Sequence, residues 1–107
     1  GMTHQAKKVV IITEQVIRDK VAKIIEECEA TGYTITKTGG KGSRGVRNID
    51  RAAIADDMAN IKMEVIVSDQ EHAEMIARRV VDTYFTNYSG ITYIEDVEII
   101  RPDKFQV

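Results

Sequence analysis

The feature that most constrains the fold is a run of four apolar residues, Val9-Val10-Ile11-Ile12, placed directly before a helical pattern. Because successive side chains of a strand point to opposite faces, this run predicts a strand that is apolar on both faces. The following helix is predicted to begin at Thr13 as its N-cap and to continue to about Thr31, with Gly32 as its stop. Its apolar side chains recur at helical spacing and are Ile17, Val21, Ile24, Ile25 and Cys28.

The rest of the chain repeats this alternation of strands and helices. β-Forming residues predict a second strand over Tyr33 to Thr38, and strict alternation predicts a third over Ile61 to Val67. Ser68 and Glu71 have the spacing of a capping box for a second helix, and a last strand is predicted over Ile91 to Ile100. The order βαββαβ predicts an α+β, ferredoxin-like fold with a four-stranded antiparallel sheet and both helices on one face.

Chain length and the apolar first strand together predict how the domain assembles. A chain of 107 residues is long enough for one domain and too short for two, so residues 1–107 are expected to form a single domain in which residues 1–6 are disordered. Two helices cover one face of the sheet, yet the first strand is apolar on both. The uncovered face predicts a homo-oligomer.

Composition narrows the class of function. A net charge of −2 gives no bulk attraction to nucleic acid or to a membrane surface, so any anion site must come from local clustering. The single Cys28 forbids an internal disulfide and is typical of a reducing cytoplasm. No apolar stretch approaches the ~20 residues of a membrane-spanning helix. These features predict a cytoplasmic protein that does not bind nucleic acid.

Local clustering of charge occurs in the connection between the second and third predicted strands. This connection, residues 39–59, has about 20 residues where hairpin loops usually have two to five. Its first half contains Gly39-Gly40-Lys41-Gly42-Ser43-Arg44-Gly45, followed by Arg47. Glycine amides can turn inward around an anion, and Arg forks suit bidentate contacts with phosphate. The segment is therefore a candidate phosphate site, although a flexible, solvated loop explains the same residues equally well.

Other nucleotide and nucleic-acid motifs do not fit the chain. Residues 40–45 have the glycine spacing of a dinucleotide fingerprint, but residues 46–50 lack the apolar stripe of a crossover helix. A Walker A motif fails because Lys41 is followed by Gly42 and not by Ser or Thr. An RNA-recognition module has the same element order, yet the third predicted strand here has no stacking aromatics.

No catalytic residue and no metal site is predicted. His4 lies in the start of the chain that we expect to be disordered, and His72 lies in the first turn of a helix. With a single Cys28, these residues do not have the number or spacing of zinc ligands. Cys28 lies on the apolar stripe of the first helix and is expected to be a buried thiol.

Several strings of residues resemble PII-type signalling proteins. They are Val10-Ile11-Ile12-Thr13-Glu14, Ala22-Lys23-Ile24-Ile25, Gly32-Tyr33-Thr34, Thr38-Gly39-Gly40-Lys41-Gly42-Ser43-Arg44, Val46-Arg47, Ala59-Asn60-Ile61-Lys62, Tyr84-Phe85 and Tyr88-x-Gly90-Ile91-x-Tyr93-Ile94. The similarity covers about residues 7 to 97, and the string from Thr38 to Arg44 is its most specific part. Among PII-like proteins, the chain most resembles the regulator of the cyanobacterial sodium-dependent bicarbonate transporter (SbtB type).

The resemblance implies a fold, an assembly and a function. It implies a homotrimer whose three sheets pack around a common axis, and a regulatory role without enzymatic activity. It also implies that residues 39–59 form the T-loop, the long loop through which the family contacts its targets, here the cytoplasmic face of a membrane transporter for bicarbonate. The implied effectors are adenine nucleotides (AMP, ADP, ATP or cyclic AMP) bound non-covalently in clefts between subunits. The residues implied at each cleft are Thr38, Gly39, Gly40, Lys41, Gly42, Ser43, Arg44 and Arg47, with Tyr88, Gly90 and Ile91 of a neighbouring subunit.

The chain departs from the PII pattern at three places. Ile91 follows Gly90 where PII proteins have a lysine that grips a triphosphate, which favours shorter adenylates. Residues 39–59 contain no tyrosine for uridylylation. Residues 101–107 lack the glycine-rich extension with two cysteines that the transporter regulator often carries, so redox control through that element is not expected.

Two alternatives on the same scaffold remain open from the sequence. One is a PII-like regulator of a different, soluble target, and a pull-down from the native host separates it from a transporter regulator. The other is a metal-binding trimer of the CutA type or a small phosphohydrolase. Comparing heat stabilisation by nucleotides with that by divalent metals separates this second class from both regulators.

Overall fold

A computed structural model describes residues 3–38, 41–42, 45–46 and 59–100 of the chain. The elements are β1 (Thr3–Glu14), a 3-10 helix (Gln15–Ile17), α1 (Arg18–Glu27), β2 (Tyr33–Thr38), β3 (Lys41–Gly42), β4 (Gly45–Val46), β5 (Asn60–Val67), α2 (Gln70–Tyr84) and β6 (Gly90–Ile100). Neither helix in these ranges has the length and apolar character needed to cross a membrane.

Four of the strands form one antiparallel sheet in the order β2-β5-β1-β6. β1 is therefore paired along both edges, and its Val9 lies opposite Val65 of β5 and Ile94 of β6. β3 and β4 form a separate two-stranded antiparallel sheet. β5 and β6 are the third and fourth strands expected from the sequence, so the predicted βαββαβ fold with its four-stranded antiparallel sheet is confirmed.

The hydrophobic core lies between the sheet and the two helices. Val9 and Ile11 of β1 are fully buried there, together with Met63 and Val65 of β5. We call the opposite side of the sheet the open face; Val10 points to it and is also fully buried. Each fully buried aliphatic side chain contributes ~1.5–3 kcal/mol relative to exposure. The prediction that this strand buries apolar residues on both faces is confirmed.

The predicted ends of the first helix are wrong. Thr13 is not its N-cap, because Thr13 and Glu14 continue β1 and are paired with β5. α1 begins only at Arg18, after the 3-10 turn. At its other end α1 stops at Glu27. The chain then turns at Glu29, whose φ of 62° is left-handed, so the helix ends before Gly32. Long-range strand pairing has overridden a local capping signal at the first of these ends.

The expected disorder of residues 1–6 is wrong for residues 3–6. These residues extend β1, where Thr3 lies opposite Ile100 and Ala6 opposite Val97 of β6. Ala6 is 3% exposed, so the extension is packed as well as paired. Residues 1–2 lie outside the described ranges.

The N-cap of α2 also differs from the sequence prediction. Asp69, and not Ser68, occupies the cap position, and its Oδ1 accepts a hydrogen bond of 2.8 Å from the backbone N–H of His72. This bond satisfies one of the first helical amides, which have no partner within the helix. Glu71 lies in the first turn, where a negative charge favours the helix dipole.

Replacing the cap residue provides a test of this assignment. We expect Asp69→Ala to lower the free energy of unfolding by about 1 kcal/mol, because a helix amide loses its acceptor. Ser68→Ala is the matched control and should change stability by less than about 0.5 kcal/mol. Urea denaturation followed by circular dichroism measures both. A larger loss for Ser68→Ala than for Asp69→Ala would contradict the assigned cap.

Candidate functional site

The sheet brings two parts of the sequence-predicted site to the same end. At this end Thr38 of β2 lies opposite Asn60 of β5, and Asn60 lies opposite Glu14 of β1. Gly90, the first residue of β6, lies opposite Thr13. Since three strand spacings separate β2 from β6, Thr38 and Gly90 of one chain are about 14 Å apart across the sheet. They share an end of the sheet without touching each other.

The turn before β6 is fixed by two side chains at the end of β1. The Thr13 hydroxyl donates a 2.8 Å hydrogen bond to the carbonyl oxygen of Ser89. The Glu14 carboxylate accepts hydrogen bonds from the Ser89 backbone N–H at 2.7 Å and from its hydroxyl at 3.2 Å. Glu14 is 3% exposed, and charge-assisted bonds of this kind are stronger than neutral ones. The two residues therefore hold the position of the turn that carries Gly90.

Close packing explains why glycine stands at position 90. A Cβ atom added there would lie 2.4 Å from the Phe85 ring and 3.0 Å from the carbonyl oxygen of Ile12. Tyr88, two residues earlier, is half-buried against the core and makes an edge-to-face contact with Tyr84, their ring centroids 6.4 Å apart. The turn is thus packed against Phe85 and Ile12 of the same chain, and the Tyr88 ring contributes to the core of that chain.

An open cavity of about 420 Å³ lies at the other end of β2. Its polar lining comes from Lys8, Thr31, Thr34 and Glu64, and its apolar lining includes Tyr33 and Ile66. Apolar residues combined with a few hydroxyl and carboxylate groups are typical of a site for a small organic ligand. None of these residues was assigned to a site from the sequence.

Two ion pairs organise the cavity wall. The Lys8 ammonium lies 3.1 Å from the Glu64 carboxylate and 3.4 Å from that of Glu95. Hydrogen bonds to Glu64 and then to Glu95 raise the pKa of Lys8 above its ordinary value, because they stabilise the charged ammonium. Lys8 therefore holds the Glu64 carboxylate in a defined orientation at the cavity.

β2 connects the cavity to the glycine-rich segment. Thr34 lines the cavity and Thr38 ends the strand, and four residues of extended chain span about 13 Å. Beyond Thr38, Lys41–Gly42 of β3 is paired with Gly45–Val46 of β4. The strand thus leads from a cavity that suits an organic group to a segment rich in glycine and cations.

The remaining residues predicted for the site divide into two groups. Ile91 is 58% exposed and directly follows the turn at Gly90. The others lie outside the described residues and are Gly39, Gly40, Ser43, Arg44 and Arg47. Within the part of the chain that the structure covers, no three His, Cys, Asp or Glu side chains are placed to hold a metal ion.

Comparison with known proteins assigns the chain to a family. The model of the nitrogen regulatory protein P-II family matches residues 6–104. The chain belongs to the P-II family. This confirms the resemblance drawn from the sequence at the level of the family, whose members are signalling regulators and not enzymes. The family match favours a regulator over the metal-binding trimer and the phosphohydrolase.

Solved structures of PII-like proteins are similar along nearly the whole chain. A PII-like signalling protein from Thermus thermophilus is 34% identical, with a TM-score of 0.78, and the match covers 98% of this chain and 99% of that one. CPII, a nitrogen regulatory PII-like protein from Thiomonas intermedia K12 solved with ADP, AMP and bicarbonate, is 25% identical, with a TM-score of 0.81 and coverage of 98% and 97%.

The packing at Gly90 leads to a testable expectation. Gly90→Ala should lower the free energy of unfolding by about 1–3 kcal/mol, because the added methyl group displaces the Phe85 ring. Gly32→Ala is the matched control, since a Cβ there would meet nothing within 4 Å. Denaturant unfolding of the two variants measures the difference. Equal stability of the two variants would contradict the described packing of the turn.

Proposed function

We propose that this PII-family protein is a trimeric sensor of adenine nucleotides. Each nucleotide, AMP, ADP, ATP or cyclic AMP, would bind in a cleft between subunits and change how residues 39–59 meet a partner. The related CPII was solved with ADP and AMP at 25% identity over almost the full length, which supports adenylates as the class of ligand.

One observation supports the placement of the nucleotide more than any other. Thr34 at the cavity and Thr38 at the end of β2 are about 13 Å apart, a separation comparable to an extended nucleoside mono- or diphosphate, and the glycine-rich segment follows Thr38 in the sequence. The base and ribose would lie in the cavity, which Tyr33, Thr34 and Glu64 line. The phosphates would lie beyond Thr38, at residues 39–47.

The residues expected to bind phosphate combine amides and cations. They are Thr38, Gly39, Gly40, Lys41, Gly42, Ser43, Arg44 and Arg47. Ligand phosphate would bring the three cations together and cancel their mutual repulsion. Because Ile91 replaces a cation beside Gly90, we infer a preference for the shorter adenylates over ATP.

A neighbouring subunit would complete each cleft. In one chain β5 and β1 lie between Thr38 and Gly90. A ligand that lies along β2 would therefore meet a turn at Tyr88, Gly90 and Ile91 only on a second chain. The open face offers a surface for that contact, with Ile91 at 58% and Tyr93 at 39% exposure. Packing three open faces together would bury these side chains and form three equivalent clefts.

The partner would be bound through residues 39–59. The motif resemblance favours the cytoplasmic face of a bicarbonate transporter, which would place the protein in the cytoplasm and, through its partner, at the membrane; a soluble target is the alternative. Whichever partner is bound, coupling must be reciprocal: if an adenylate changes the affinity for the partner, the partner changes the affinity for that adenylate by the same factor.

Calorimetry on arginine variants tests the phosphate site. We expect Arg44→Ala and Arg47→Ala each to weaken AMP and ADP binding about tenfold or more, since a charge-assisted bond contributes ~1.5–3 kcal/mol. Arg78→Ala is the control, because Arg78 lies on α2 and pairs with Glu74. Affinities of the Arg44 and Arg47 variants equal to the control would remove both residues from the site.

Analytical ultracentrifugation tests the trimer. We expect the wild-type protein to sediment as a trimer at micromolar concentration, and Tyr93→Asp to dissociate it by placing a charge in an apolar interface. Val81→Asp is the matched control, because Val81 is 40% exposed but lies on α2. A stable wild-type monomer would overturn the assembly, and equal dissociation of both variants would exclude the open face as its interface.

A further inference from the structure

Lys8 connects the cavity to the outer strand of the sheet. Its position on β1 lies between Ile66 of β5 and Glu95 of β6. The ammonium contacts Glu95 directly across the strands and reaches Glu64 diagonally on the other side. One cation on the central strand therefore joins carboxylates from both of its neighbours, and only the Glu64 carboxylate lies in the wall of the cavity.

The three charged groups are partly shielded from water. The side chains of Lys8 and Glu64 are 27% and 28% exposed, and that of Glu95 is 50% exposed. Partly buried pairs are less screened by salt than exposed ones. A lysine side chain is otherwise free to change rotamer, so a second carboxylate on β6 restricts where the ammonium lies.

A similar ion pair lies one residue away on the same two strands. Lys7 pairs with Asp96, and alternation along β1 and β6 directs these two side chains to the face opposite Lys8 and Glu95. Neither Lys7 nor Asp96 lines the cavity. The molecule thus contains a lysine of similar exposure and pairing that has no contact with the proposed ligand.

We propose that Lys8, held in place by Glu95, is a positioning residue that orients the Glu64 carboxylate to accept hydrogen bonds from the nucleoside part of the ligand. The proposal rests on the proposed adenylate function. Ribose hydroxyls and the amino group of adenine are hydrogen-bond donors, and a fixed carboxylate is their natural acceptor. Without Lys8, Glu64 would lose its orienting partner, and its charge would attract water into the cavity.

The position of Lys8, Glu64 and Glu95 determines how the affinities for AMP and ADP change. Glu64 would act at the nucleoside end of the ligand, about 13 Å from Thr38 along β2. Loss of Lys8 should therefore lower the affinities for AMP and ADP by the same factor. Loss of a cation that binds phosphate would instead lower the affinity for ADP more than that for AMP, because ADP carries more negative charge.

Titration calorimetry with AMP and ADP tests the proposal on the 107-residue chain. Lys8→Met should weaken both nucleotides roughly tenfold, the loss of about one charge-assisted bond. Lys8→Arg should stay near wild type, since it keeps a cation in reach of both acids. Glu95→Gln should give a smaller loss in the same direction, without altering Lys8 itself. Lys7→Met is the matched control and should leave both affinities unchanged.

A double-mutant comparison separates positioning from a general structural effect. In a Glu64→Gln background, Lys8→Met should cause no further loss of affinity, because the group that Lys8 orients is already gone. Wild-type affinity in Lys8→Met, or the same loss with and without Glu64, would overturn the proposal while leaving adenylate binding intact. Failure of the wild-type protein to bind either nucleotide would instead overturn the proposed function itself.

Discussion

The pairing of β1 along both of its edges is the constraint on which the rest of the structure depends. β5 and β6 are held in register by this strand, and its buried Val9 and Ile11 form the floor on which the helices pack. The same strand buries Val10 on the open face. On the same face Ile91 and Tyr93 of β6 remain 58% and 39% exposed, because the two helices cover only the other face.

Side chains at two places along β1 build the candidate site. At its C-terminal end, Thr13 and Glu14 hold the Ser89 turn through hydrogen bonds of 2.7–3.2 Å. Toward its other end, Lys8 orders the wall of the open cavity beside β2. The candidate ligand site and the proposed assembly surface thus share one face of the sheet. A ligand bound at that site and contact between subunits would then influence each other.

Local periodicity was sufficient to predict most of the fold. The two-faced run from Val9 to Ile12 and the alternation in β5 depend only on neighbouring side chains, and both predicted strands are confirmed. The start of α1 was missed because Thr13 resembles a cap in sequence, while its backbone is paired with a strand far along the chain. The glycine-rich string of the P-II family was also recognisable, since its residues are contiguous.

The cavity could not be predicted in the same way. Lys8, Thr34 and Glu64 come from three strands, and only the register of the sheet brings them together. The hydrogen bonds between Glu14 and Ser89 likewise join distant residues with no recognisable spacing. Of the predicted site, the string from Thr38 to Arg44 was visible as a motif, but the end that would receive the base was not.

Hydrogen exchange measured by mass spectrometry tests the central claim, that one adenylate spans from the cavity to residues 39–59. The exchange of the wild-type protein would be compared with and without saturating AMP, ADP and cyclic AMP. We expect slower exchange both in residues 31–36, beside the cavity, and in residues 39–59. Slower exchange in only one of these stretches, or unchanged exchange in both, would contradict a ligand that joins them.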